Sequence, residues 1–254
     1  MLGGPRALLM QIAHPSVAAA VAQHSDFPAN PFRRLWRTLD AMIAISFGDS
    51  EQSRRAAEGV GGIHRGVRGS TEEGNPYRAT DPALLRWVHA TLVDSGLAVY
   101  RRFFGRLSAE DADAYVVEMN RLAALMGVPE RDLTRDADSF SRYVERMVAS
   151  VTVSSDARRL APSIVRPPVP PALRPVARFQ ELVTVGLLPE ALREGYGLRW
   201  TVPRQRLLRA SEAAARTVVP RLPGLLRRWP QARAAERRAA ESPSEGDLGL
   251  QPRG

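Results

Sequence analysis

Apolar side chains recur at spacings of three and four residues along most of this chain, the period of helices with one buried face. The first such segment, 5–22, is apolar on nearly every side, which predicts a buried helix. Pro5 suits its first turn and Pro15 should kink it. A turn around His24-Ser25-Asp26 follows, then helices over 31–48 and 50–68 with Ser50 as a candidate cap. Residues 69–80 read as a loop, and Asp81-Pro82 opens a long helix through about Gly105. Further helices are expected over 108–126, 136–150 and a short 153–161. A rigid connector over 162–175, with six prolines, leads to apolar segments at 176–188 and 189–198 and a last helix over 203–219. VTVSS at 151–155 is the one β-like run. The pattern predicts an all-α fold, one domain over 1–229 of about ten helices around a central cofactor pocket. Segments 31–48, 51–68 and 81–105 should line that pocket, and a disordered basic tail should follow over 230–254.

Composition narrows the partners. The net charge is +9, yet every basic side chain is Arg, a bias that base composition alone produces, and aromatics are not interleaved with the basic runs. No nucleic-acid partner is therefore expected. Cysteine is absent, which excludes disulfides, thiolate metal sites and a Cys nucleophile. No run approaches the ~18 apolar residues of a membrane span, and no signal peptide is visible, so the expected location is the cytoplasm.

The candidate chemistry lies in the first ninety-one residues. All four histidines (14, 24, 64 and 89) fall there. In EGVGGIHRGVRG, His64 and Arg68 stand four apart on a predicted helix, offering an imidazole and a guanidinium to one side. Such a pair suits a metal or haem iron beside a carboxylate such as a haem propionate. Glycines 59, 61, 62 and 66 surround His64, each costing a helix interior ~1 kcal/mol against Ala, as if something bulky came close. Tight helix–helix packing would explain them equally well. Arg34 and Thr38 form a second pair four apart, while His89 and Thr91 are polar groups in an apolar helix. The plain expectation for His89 is a core histidine bonded to a backbone carbonyl. A site of two histidines and a carboxylate could use His64, His89 and Asp40. The residues alone leave three readings: a haem protein, a non-haem metal oxygenase, or a helical protein without a cofactor.

The ordered text GGPRALLMQIAHPSVAAAVAQHSDFPANPFRRLWRT, FGD, IHRGVRG, YRATDPALLRWVHATLVDS and YGLRW resembles the family of bacterial latex-clearing proteins (rubber oxygenases) and the oxygenase of mycophenolic acid biosynthesis, over roughly residues 3–200. The resemblance implies an all-α haem b oxygenase that takes O₂ and an apolar or lipid-like substrate. The alternative is a non-catalytic protein of the same fold that carries haem or a hydrophobic ligand. His64 resembles the family's axial ligand, with His89 as its competitor, and Arg68 resembles an Arg four residues after that ligand. Arg34 and Thr38 resemble an Arg-x-x-x-Thr pair, and Thr91 a further Thr near the haem. By resemblance, Arg34 and Arg68 would clamp propionates, while Thr38 and Thr91 would order O₂ or water. Where some members carry a Lys before the helix Thr, this chain has Arg37, which does not deprotonate and is a poor ligand. The acidic residue proposed as base in rubber cleavage has no counterpart here.

Overall fold

The computed structural model describes residues 2–25 and 49–223, together with Arg233 and Arg237. The expected helix 31–48 and, apart from those two arginines, the expected tail 230–254 lie outside the described residues. Ten α-helices appear among the described residues, with only a two-stranded sheet, as the all-α pattern requires.

The expected kinked helix 5–22 is two helices, α1 (Gly4–Ala13) and α2 (Pro15–His24). Pro15 has no N–H to continue the ladder, so the chain breaks fully at His14. The His14 ring then caps α2, its Nδ1 accepting from Ser16 N at 3.2 Å. Burial lowers the His14 pKa, against a smaller opposing pull from Asp81, in keeping with an accepting neutral ring. Helix α3 (Ser50–Gly66) is capped by Asp49 rather than Ser50. The Asp49 side chain accepts from Gln52 N at 2.7 Å, and Gln52 reaches back to Asp49 N.

The loop expected over 69–80 contains a hairpin, β1 (Arg68–Ser70) antiparallel to β2 (Pro76–Arg78). Three residues per strand are too few to show alternation in sequence. What holds the hairpin is tertiary: Gly69 packs against Tyr77 and Gln23, and a Cβ there would clash with the Gln23 amide oxygen and the Tyr77 hydroxyl. Gln23 also accepts from the Tyr77 hydroxyl at 2.7 Å and donates to Ser70 O at 2.9 Å.

Helix α4 (Pro82–Phe103) is the axle of the fold. Asp81 caps it, accepting from Ala83 N at 2.9 Å, and Gly105, at φ 119°, turns the chain beyond its end. It packs on α1, α5 (Ala109–Leu125), α6 (Ala137–Ser150) and α10 (Val202–Val218). Trp87, Ala90, Val93 and Leu97 of α4 join Leu9, Met10 and Ile12 of α1 in one core. The Arg6 guanidinium is buried in that interface. Its Nε donates to Leu187 O and its Nη1 to Ser95 Oγ, both at 2.7 Å, and Nη2 lies 2.7 Å from Asp94 Oδ2. With three partners it escapes the usual cost of a buried charge.

The remaining helices follow the expected order. Helix α7 (Ser155–Val165) starts at its Ser154 cap and continues through Pro162, so VTVSS is a helix entry, not a strand. Helices α8 (Arg174–Leu187) and α9 (Glu190–Gly195) complete the set. No helix among the described residues is long and apolar enough to cross a membrane.

Candidate functional site

An open cleft of about 420 Å³ lies where α3 passes the first turn of α4 and the end of α5. That volume falls within the ~300–1,000 Å³ of small-molecule sites. From α3 come Ala57, Gly61, His64 and Arg65. Thr80 and Leu85 form the α4 side, and Leu125, Met126 and Gly127 close the end of α5. The cleft stands at the start of α4 rather than at the centre of the fold, because Trp87 and its core neighbours fill the middle.

His64 is half-buried in the cleft wall, and burial lowers its pKa, which favours the neutral ring. Its ring nitrogens have no hydrogen-bond partner among the described residues, so a lone pair is available. The glycines around it are not packed against another described helix. A Cβ at Gly59 or Gly66 would meet nothing within 4 Å. At Gly61 and Gly62 it would meet only the Arg65 guanidinium, at 3.8 and 3.6 Å.

Arg68 does not share the helix face of His64. Gly66 is a poor helix former and Val67 is β-branched, and the chain leaves the helix there, Val67 being extended at φ −94°, ψ 105°. Arg68 therefore stands on β1, exposed, beyond the rim of the cleft. The nearer guanidinium on α3 is Arg65, which the spacing argument passed over although it adjoins His64.

His89 is 7% exposed, and neither ring nitrogen has a hydrogen-bond partner among the described residues. The expected carbonyl partner is thus absent. Desolvation alone drives its pKa down to about 4. Thr91 is fully buried, and its hydroxyl turns back to donate to Val88 O at 2.7 Å. Neither residue lines the cleft. Arg34, Thr38, Arg37 and Asp40 lie outside the described residues. Among the described residues no three His, Asp or Glu side chains converge as a metal site would require. A haem iron asks for less from the protein, since one imidazole suffices.

The chain matches, over residues 1–218, the family described as "ER-bound oxygenase mpaB/B'/Rubber oxygenase, catalytic domain". It belongs to that family. The match spans the cleft and every helix from α1 to α10, so the site just described falls within an oxygenase catalytic domain. Neither a curated protein nor a solved structure matches the chain.

Sequence reasoning placed His64 at the site but missed Arg65, Thr80, Leu85 and the Leu125–Gly127 corner. Arg65 carried a signal in its adjacency to His64. The α5 corner carried none, because only tertiary packing brings the end of α5 to α3.

Proposed function

We propose that this oxygenase domain holds a haem b in the cleft through His64 and acts with O₂ on an apolar small molecule or lipid-like substrate. One observation carries the reading: His64, whose burial favours the neutral ring, has no hydrogen-bond partner among the described residues and faces an open cleft beside Gly61, which brings no side chain to the α3 wall. The donor set fits that group, which demands one nitrogen ligand, a flat approach and cations for its carboxylates. A bound haem would supply the activation of O₂.

The chain's own residues have separate tasks. His64 would hold the group through a ring nitrogen, and its burial favours the neutral ring this needs. Leu85, Leu125 and Met126 make the apolar wall on which a lipid-like substrate would lie. By the resemblance, Arg34 would hold a propionate and Thr38 would order O₂ or water. Thr91 would act through the α4 backbone rather than at the ligand, because it is fully buried, does not line the cleft and gives its proton to Val88 O. His89 stays a neutral core group. A cytoplasmic setting belongs to the same reading.

The test is spectroscopic. The purified protein should take up haem with a Soret band and a b-type pyridine haemochrome, and His64→Ala should lose or shift that band while His89→Leu keeps it. Loss in the His89 variant with an unchanged His64 variant would reverse the ligand, and no binding by wild type would remove the cofactor. The openness of the cleft also favours a second reading, a haem or hydrophobic-ligand carrier without turnover. Consumption of O₂ by the ferrous protein with an apolar substrate separates the two.

A further inference from the structure

Arg68 and Arg78 are register partners across the β1–β2 hairpin. Backbone bonds join Ala79 N to Val67 O and Thr71 N to Asn75 O, both at 2.9 Å. Antiparallel alternation therefore makes Arg68–Arg78 a non-hydrogen-bonded pair, the closer kind, with Cα atoms ~4.5 Å apart. Two further bonds agree. Arg68 O and Ser70 O point out of the ladder, where the His24 ring at 3.0 Å and the Gln23 amide at 2.9 Å meet them. Gly69 and Tyr77 face α2, so the two arginine side chains share the opposite, exposed face. Like charges directly opposite destabilise a hairpin. Neither guanidinium has an acidic partner among the described residues.

The pair adjoins the cleft. The Val67–Ala79 bond is the next rung, and beyond it His64 and Thr80 line the cleft wall. Arg78 is two residues before Thr80, at the start of the turn that Asp81 N closes onto Arg78 O at 3.0 Å. Among the described residues, the cleft already holds Arg65 without an acid, and the one acidic residue that lines it, Glu58, pairs with Arg54 at 2.7 Å. From this we infer that Arg68 and Arg78 form a two-guanidinium clamp for an acidic group, a carboxylate or phosphate, on the ligand of the cleft, with Arg65 as a third cation. A planar anion between two forks satisfies both and removes their repulsion. The inference rests on the reading that the cleft is the ligand site. It does not rest on what His64 holds.

The test uses the full chain and inorganic phosphate, balanced with chloride to constant ionic strength. Phosphate should raise the wild-type melting temperature. Without phosphate, Arg78→Gln should melt at the same temperature or up to ~2 °C higher, because the repulsion is gone, and it should lose most of the phosphate response. Arg78→Lys keeps the charge but not the fork, so its response should be weakened. Arg121→Gln, an exposed control on α5, should respond like wild type. An Arg78→Gln response equal to wild type overturns the clamp, and so does a loss shared equally by Arg121→Gln. A second arm compares haem b with its dimethyl ester, which lacks carboxylates. If wild type prefers haem by about tenfold and Arg78→Gln erases the preference, the clamp serves the cofactor. Equal binding of the two, with a phosphate response that still depends on Arg78, assigns it to an acidic substrate. If neither is bound, the haem reading falls and the phosphate arm alone decides the clamp.

Discussion

Leu85 lies one helical turn before His89 on α4, and it is Leu85 rather than His89 that lines the cleft with His64. Residues four apart share a helix face, so the two side chains follow one another from the cleft toward the core. Leu85 packs with Ala123 and Val128 of the α5 corner, which separates the second histidine from the open space. The two histidines are thereby given different environments: His64 faces the cleft, whereas His89 is enclosed without a partner among the described residues.

The enclosure of His89 has a consequence for stability. Its folded pKa of about 4 lies below the ordinary value near 6.5. Between those values the unfolded chain binds the extra proton, so stability is complete above about pH 6.5 and is lost as pH falls toward 4. The full effect is about 3 kcal/mol. Urea unfolding between pH 7 and 4.5 should show a steeper loss in wild type than in His89→Leu. Parallel profiles would mean that the ring is solvated or partnered in solution.

Among the described residues, Arg6 is the one guanidinium fully committed to the core, tied to Leu187 O, Ser95 Oγ and Asp94. Arg6→Met should cost about 3–5 kcal/mol, because Asp94 and the Leu187 carbonyl lose their partner together. Adding Asp94→Leu should recover part of that loss. Chemical denaturation of the three variants checks the sign of the coupling.

Thr91→Val keeps the shape of a fully buried side chain and removes only its bond to Val88 O. A cost of about 1 kcal/mol with an unchanged haem titration is expected. A weakened ligand would show that the hydroxyl reaches the site in solution.

Much of this architecture was legible before the structure. Asp81-Pro82, Ser108 and Asp136 mark helix starts through local hydrogen bonds, so their positions could be read from the residues themselves. The seat of His64 was legible for a similar reason, as its glycines and neighbours are consecutive. The hairpin was not, because Gly69 is held by Gln23 and Tyr77 at distant positions rather than by strand propensity. The Arg68 placement failed at the same point: spacing of four means a shared face only while the helix continues, and Val67 ends it. Nor does any sequence signal mark His89 as unpartnered, since that depends on what the other helices bring to it.

Gly59 and Gly61 offer the sharpest test of the cleft, because the folded protein treats them alike until a ligand is present. Among the described residues, a Cβ at Gly59 meets nothing within 4 Å, and one at Gly61 meets only the Arg65 guanidinium at 3.8 Å, an ordinary contact with a flexible group. Neither position needs a positive φ, since both sit inside α3. Alanine should therefore stabilise the ligand-free protein at either site by up to ~1 kcal/mol through helix propensity and a less flexible unfolded chain. That corresponds to about 2–4 °C in melting temperature for a domain of this size. The positions differ in one respect: Gly61 lines the cleft and Gly59 does not. A flat ligand lying on α3 would meet the new methyl only at Gly61, so Gly61→Ala should weaken haem uptake while Gly59→Ala leaves it unchanged. Melting curves without ligand and absorbance titrations with haem separate the two effects. Equal titrations for both variants and wild type would place the ligand elsewhere. A fall in melting temperature for Gly61→Ala alone would show that a part of the protein, not a ligand, occupies that space.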